Sequence, residues 1–199
     1  MKKMIAILLC LMMLLSCAAM AESIPAEKQS MGTIGINGVF ELKGAIPEGY
    51  KLEVLANENN SLLAQVTSGE AGKPSIVLSI AYNDMYSDVE RLNDVDEETL
   101  AAIAGTFSEE DSVEISNMTT AYGTKLFVVK EISDQVDYVD FYTIYKGYEV
   151  ELFLSHAMFT ADSGAEAETL PVTEEEIQLA IQFLSDLDFV PDTAETAAQ

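Results

Sequence analysis

From Ser112 to Phe159 the chain reads as four successive strand-length segments, about 112–119, 124–132, 137–146 and 148–159, and that run leaves little choice of fold. The breaks between them are short: Tyr122-Gly123, Ser133-Asp134, and a single turn at Gly147. Glycine supplies the left-handed backbone that tight hairpin turns need. In the last segment Tyr148, Val150, Leu152 and Leu154 share one face, while Glu149 and Glu151 take the other. Alternation with period two is the pattern of an antiparallel sheet with one face buried and the other wet or covered by a helix.

Strand signals also dominate upstream. Val39-Phe40-Glu41-Leu42 leads into Pro47-Glu48-Gly49-Tyr50, a proline followed two residues later by glycine, which predicts a tight turn. Lys51–Leu55, Leu62–Thr67 and Ser75–Tyr82 follow as strands, the last two separated by the loop Gly69–Pro74. Leu100, Ile103, Ala104 and Phe107 then make one helical stripe, with Asp94 or Asp96 as the N-cap and Asp94 with Glu97 able to form a capping box. A second helix is announced by the capping box Thr173-Glu174-Glu175-Glu176, with Val172 and Ile177 as its hydrophobic staple. Its predicted buried stripe is Ile177, Ala180, Ile181, Leu184 and Leu187. Pro191 closes the ordered chain, and 191–199 is expected to be a disordered tail. Strands, a helix, a run of antiparallel strands and a closing helix predict an α+β fold, an antiparallel β-sheet flanked by helices, as a single domain over 33–190.

The N-terminus predicts export. Met1-Lys2-Lys3 is a positive start, and Met4–Leu15 is an unbroken apolar run of signal-peptide length, short of the roughly 20 residues that span a bilayer. Ala19-Met20-Ala21 offers a small-x-small cleavage site, so 1–21 reads as a signal peptide and 22–32 as a tether. Leu14-Leu15-Ser16-Cys17 offers the alternative, a bacterial lipobox in which Cys17 would be acylated. The expected location is secreted or tethered to the cell surface, with no membrane insertion of the mature body. Cys10 and Cys17 are the chain's two cysteines, so neither a disulfide nor a cysteine metal site is expected in the domain.

Charge narrows the partners. The chain carries 34 acidic and 10 basic residues, a net charge of −24, and loses Lys2 and Lys3 with the leader. Nucleic acid is excluded as a natural partner, because no basic patch exists to release phosphate counterions.

Three segments resemble a known family. The Pro47–Tyr50 turn is similar to the Pro-x-Gly-aromatic turn of PsbP-like domains, which include small bacterial lipoproteins of the DcrB type. Gly147-Tyr148-Glu149-Val150-Glu151-Leu152 resembles their late strand, and Phe183–Phe189 their closing helix, with an aspartate inserted between Ser185 and Leu187. The resemblance spans about 35–190 and implies an α/β/α sandwich with a non-catalytic accessory or scaffolding role. It carries over no catalytic residue.

No reaction is legible. His156 is the one histidine, in phase with the core-facing set of its strand, and reads as a structural residue. The acidic clusters at 94–98, 109–111 and 174–176 lack the calcium-loop spacing, so no metal or cofactor is assigned. Tyr138 and Tyr142 fall on one face of a predicted strand and are the candidate surface for an extracytoplasmic protein partner. The alternatives are a small-ligand pocket between sheet and helix, and, more remotely, a hydrolase with a carboxylate pair, one of which would titrate far above the ordinary range.

Overall fold

The computed structural model describes residues 34–58, 60–70, 72–107, 113–132, 136–156 and 170–192, together with the backbone of Ser23–Ile24. Cys17, both cleavage sites, the Ser133-Asp134 turn and the acids at 109–111 lie outside the described residues. Eleven strands form in chain order: β1 (Ser23–Ile24), β2 (Ile34–Ile36), β3 (Phe40–Lys43), β4 (Lys51–Glu58), β5 (Ser61–Thr67), β6 (Ser75–Tyr82), β7 (Val113–Thr119), β8 (Lys125–Ile132), β9 (Val136–Tyr145), β10 (Tyr148–Ser155) and β11 (Asp188–Pro191). Two α-helices accompany them, α1 (Glu97–Gly105) and α2 (Glu174–Ser185). The fold is a mixed α+β arrangement in which antiparallel sheet dominates.

The large sheet has the order β1-β4-β5-β6-β10-β9-β8-β7, and β11-β3-β2 make a smaller one. Two meanders are thus joined along β6 and β10, which pair from Tyr148↔Tyr82 to Ser155↔Ser75. The β9–β10 hairpin turns on Lys146 and Gly147, with φ of 50° and 77°. Two successive left-handed residues are the type I′ turn, whose twist matches that of the flanking strands. At Pro47–Tyr50 the amide of Tyr50 donates to the Pro47 carbonyl, and Gly49 has φ of 81°, the geometry of a type II turn.

Alternation sorts the side chains into two faces. The first carries Leu62, Ala64 and Val66 of β5, Ile76, Leu78 and Ile80 of β6, and Val150, Leu152 and Leu154 of β10. These share one core with Ile177, Ala180, Phe183 and Leu184 of α2, and with Ile34, Ile36, Phe40, Leu42 and Phe189 of the small sheet. On the second face Phe127, Val129, Tyr142 and Ile144 cluster with Leu92 and with Ile103 of α1.

The helix caps settle two expectations. Asp96, not Asp94, is the N-cap of α1; it accepts from the Thr99 amide at 2.8 Å. The Asp94–Glu97 box does not form, because Leu92–Asp94 is already a 3-10 turn that buries Leu92. In α2 the Thr173–Glu176 box is present with both of its hydrogen bonds, and Val172 and Ile177 are buried together. The helix stops at Ser185, so Leu187, although buried as expected, lies beyond it; Phe183 completes the helix's buried stripe, and Ile181 is only half-buried. Two further stretches depart from expectation. Pro191 is the end of a strand paired with β3 rather than the start of a tail, and Asp192 Oδ2 accepts from the Gly38 amide at 2.8 Å. Within the expected tether, Ser23 and Ile24 pair with Glu53 and Leu52.

Candidate functional site

Tyr138 and Tyr142 do share a face of β9, but the two differ in access. Tyr142 is only 1% exposed. Its ring lies edge-on to Phe107, centroids 5.0 Å apart, and parallel to Phe127 at 6.5 Å. Burial, with help from the nearby Glu149 carboxylate, drives its phenol far above the ordinary tyrosine range. The expectation of a partner surface at Tyr142 is therefore corrected: strand alternation assigned its face, but the α1 layer covers it. Tyr138 is half-buried, edge-on to Phe153 at 5.9 Å.

What Tyr142 does instead is hold a turn. Its hydroxyl donates to Glu149 Oε1 at 2.9 Å, and Glu149 Oε2 accepts from Asn83 Nδ2 at 2.8 Å. Asn83 caps the 3-10 turn Asp84–Tyr86, its Oδ1 accepting from the Met85 amide at 3.0 Å. The Asn83 amide also donates to the Gly147 carbonyl at 3.0 Å. This chain of contacts runs from a buried phenol to the most exposed apolar side chain described, Met85, at 80% exposure. Beside it Tyr82 is 40% exposed, its ring edge-on to Tyr148 at 5.2 Å. Tyr122, also exposed, sits in the β7–β8 turn at the same end of the sheet.

The 84–98 segment at this end is strongly acidic, with Lys146 of the β9–β10 turn and Lys125 at the start of β8 also at this end of the sheet. Between 84 and 98 the exposed residues Asp84, Asp88, Glu90, Asp94, Asp96, Glu97 and Glu98 face a single base, Arg91, which lies over the Tyr145 ring at 5.6 Å. Sequence reasoning missed this patch. The signal available was weak: Asn83-Asp84-Met85-Tyr86 places a methionine in a polar run just after a predicted strand.

Two further groups bear on chemistry. On the second face of β9, Asp140 is 3% exposed, paired in register with Phe153 of β10 and Val129 of β8. Burial first, and then the Glu151 carboxylate, push its carboxyl well above the usual carboxylate range. A glycosidase-type pair works across a cleft; Asp140 instead lies within the sheet, with Glu151 and Glu149 on the adjoining strand.

On the first face His156 Nε2 lies 3.1 Å from Glu176 Oε2, the carboxylate that also accepts from the Thr173 amide at 2.8 Å. Burial by itself would raise the Glu176 carboxyl, but the Thr173 amide and His156 outweigh it and hold it below the ordinary value. This pair borders a narrow cleft between α2 and the sheet, lined among others by Pro47, Tyr50, Pro74, Leu154, Leu179 and Phe183, with about 20 Å³ of free space. That is room for about one water. Ser75 Oγ is buried without a partner, but alternation along β6 puts it on the face opposite His156, so no serine–histidine dyad forms. Among the described residues no group of three or more histidine, cysteine or carboxylate side chains could hold a metal ion, and no helix is long and apolar enough to cross a membrane.

Comparison of the chain with protein-family models, with curated proteins and with solved structures gives no match.

Proposed function

We propose that the protein is an extracytoplasmic, non-catalytic binding module that docks a basic protein partner through the end of the large sheet bearing Met85 and Tyr82. The observation that carries this reading is a methionine 80% exposed on a turn that is nonetheless pinned by Asn83, Glu149 and the buried Tyr142. An exposed apolar side chain on a pinned turn loses little conformational freedom on binding, which favours its use as an anchor. Methionine and tyrosine are enriched at interface centres, and acidic residues at a rim select partners of opposite charge. The seven exposed acids between 84 and 98 favour a basic partner. The export signal read from the first 21 residues supports the location, with the anchor at Cys17 as its lipid-tethered variant.

A PsbP-like α/β/α sandwich is the architecture we assign. Its support is that α2 and α1 contribute to cores on opposite faces of one antiparallel sheet. The small-ligand alternative carries less weight, since ligand pockets run to roughly 300–1,000 Å³ and the cleft beside α2 offers about 20 Å³.

The test is cross-linked co-purification of the tagged, exported protein from its own cells, run beside the double variant Y82S/M85D. The expected result is a basic partner captured by the wild type and weakened at least about tenfold in the variant, as for a hot-spot residue, with the variant still folded and its melting temperature lowered only as far as the lost Tyr82–Tyr148 ring contact requires. Undiminished capture by the folded variant would overturn the assignment of the surface. Enrichment of no basic protein would overturn the partner reading itself.

A further inference from the structure

We infer that Asp140 and Glu151 hold one proton between their carboxyl groups in the folded protein at neutral pH, making the middle of the large sheet a proton-binding site that tightens in acid. The argument starts from position. Asp140 lies mid-strand in β9, with hydrogen-bonded neighbours on both sides, so its backbone cannot carry the side chain out to water. Its cross-strand partners on that face are the side chains of Phe153 and Val129, neither of which can donate a hydrogen bond. Oδ1 is buried and meets no donor, and the Leu152 amide is a single backbone donor to the carboxyl, too little to outweigh burial and the Glu151 carboxylate.

An ionised carboxylate in such a place costs several kcal/mol in real proteins, and it neutralises unless a cation or a set of donors compensates. No compensating cation faces it among the described residues. From β10 the facing groups are Glu149 and Glu151; from β9 itself, Tyr138 and Tyr142. From β8 they are Glu131, a further carboxyl diagonal to Asp140 across the other ladder, and Lys125 at the far end, while Lys130 points to the opposite face, where it meets Glu174. The 3-10 turn contributes Tyr86, and α1 presents Ile103 and its apolar neighbours. β6 offers Val77 and Ser79, and β7 offers Ile115.

Protonation resolves both problems at once. It removes the buried charge, and it converts an acceptor-only group into one with an O–H donor. Glu151, diagonal to Asp140 across the β9–β10 ladder, supplies a carboxylate to accept it. Of the two, Asp140 keeps the proton because it is the buried member, while Glu151 is half-buried. A carboxyl that binds its proton more tightly folded than unfolded adds stability below the unfolded value of about 3.9, and that contribution is lost as pH rises towards the folded value. The sheet centre is thus stabilised by acid.

The direct readout is an infrared or carbon-13 NMR titration of the intact protein. We expect a protonated-carboxyl signal at pH 7 that is absent from D140N. In E151Q it should vanish at lower pH than in the wild type, because the neighbouring negative charge is gone. Unfolding followed from pH 4 to 8 should show D140N gaining on the wild type as pH rises. If D140N fails to fold, the wild-type signal and its displacement in E151Q still decide. No protonated carboxyl at pH 7 would overturn the inference, and so would an identical titration in E151Q.

Discussion

Gly35 shows how much one hydrogen atom can matter. Its φ is ordinary, so conformational freedom is not the reason for glycine here. A Cβ built at this position would lie 2.0 Å from the Phe40 carbonyl oxygen and 2.8 Å from the Glu41 Cα, both backbone atoms that cannot swing away. The close approach lets β2 pair with β3 at Gly35↔Glu41 while Ile34 and Ile36 enter the core. G35A should therefore cost at least about 1–3 kcal/mol, the usual range for overpacking, and denaturant unfolding would measure it; a loss under about 0.5 kcal/mol, ordinary for surface changes, would show that the small sheet can shift. Gly147 is glycine for the other reason, φ of 77° in the β9–β10 turn, and its Cβ would press on the Tyr82 ring at 2.9 Å.

At the scale of elements, α2 joins stability to the only histidine. Its first turn is closed by Thr173 Oγ1, which accepts from the Glu176 amide at 3.3 Å, and by Glu176, which reaches back to Thr173 and across to His156. Removing the cap in T173A should cost about 1 kcal/mol, seen as a melting temperature lower by about 2–4 °C for a chain of this size. The pH dependence of this element is opposite to that of Asp140. Glu176 is held below its ordinary value, so its contribution is present above that value and is lost as pH falls through the lower, folded one. E176Q should accordingly lose its deficit relative to the wild type on acidification, and a deficit independent of pH would argue that the carboxylate's charge plays no part. The β9–β10 hairpin is the corresponding hub of the sheet: its I′ turn fixes register, and that register places Glu149 where Tyr142 and Asn83 can both reach it.

For the whole molecule the governing quantity is charge. A net charge of −24 is spread over the surface, with few described lysine–carboxylate pairs to offset it, among them Lys51–Glu53 and Lys130–Glu174. Self-repulsion of this size works against the compact state and is relieved by screening. Raising ionic strength from about 0.01 M to about 1 M shortens the Debye length from about 30 Å to about 3 Å, so the melting temperature at pH 7 should climb with sodium chloride. A flat or falling profile would mean that the acids are spaced too widely to repel. The same screening should weaken capture of a basic partner, so salt would strengthen the fold and loosen the complex in parallel.

Local pattern and tertiary context divided the work along a physical line. The places of the main strands, the Gly49 and Gly147 turns, the Thr173–Glu176 box and the α+β class were legible in the sequence, because turn chemistry, capping and alternation are set by residues a few positions apart. β11 was not legible: Asp188–Pro191 continues an apolar helical pattern, and only its pairing with β3, about 150 positions away, makes it a strand. Nor was the junction of β6 with β10, since nothing local in either strand names the other as partner. The same limit explains the tyrosines. Alternation determined that Tyr138 and Tyr142 share a face, but α1 and the Leu92 turn decided that Tyr142 is buried and that the exposed apolar end of the sheet lies at Met85 and Tyr82. Which face a residue takes is a property of its own strand; what covers that face, and so which side chains meet a partner and which carboxyl loses its water, is decided by segments distant in the chain.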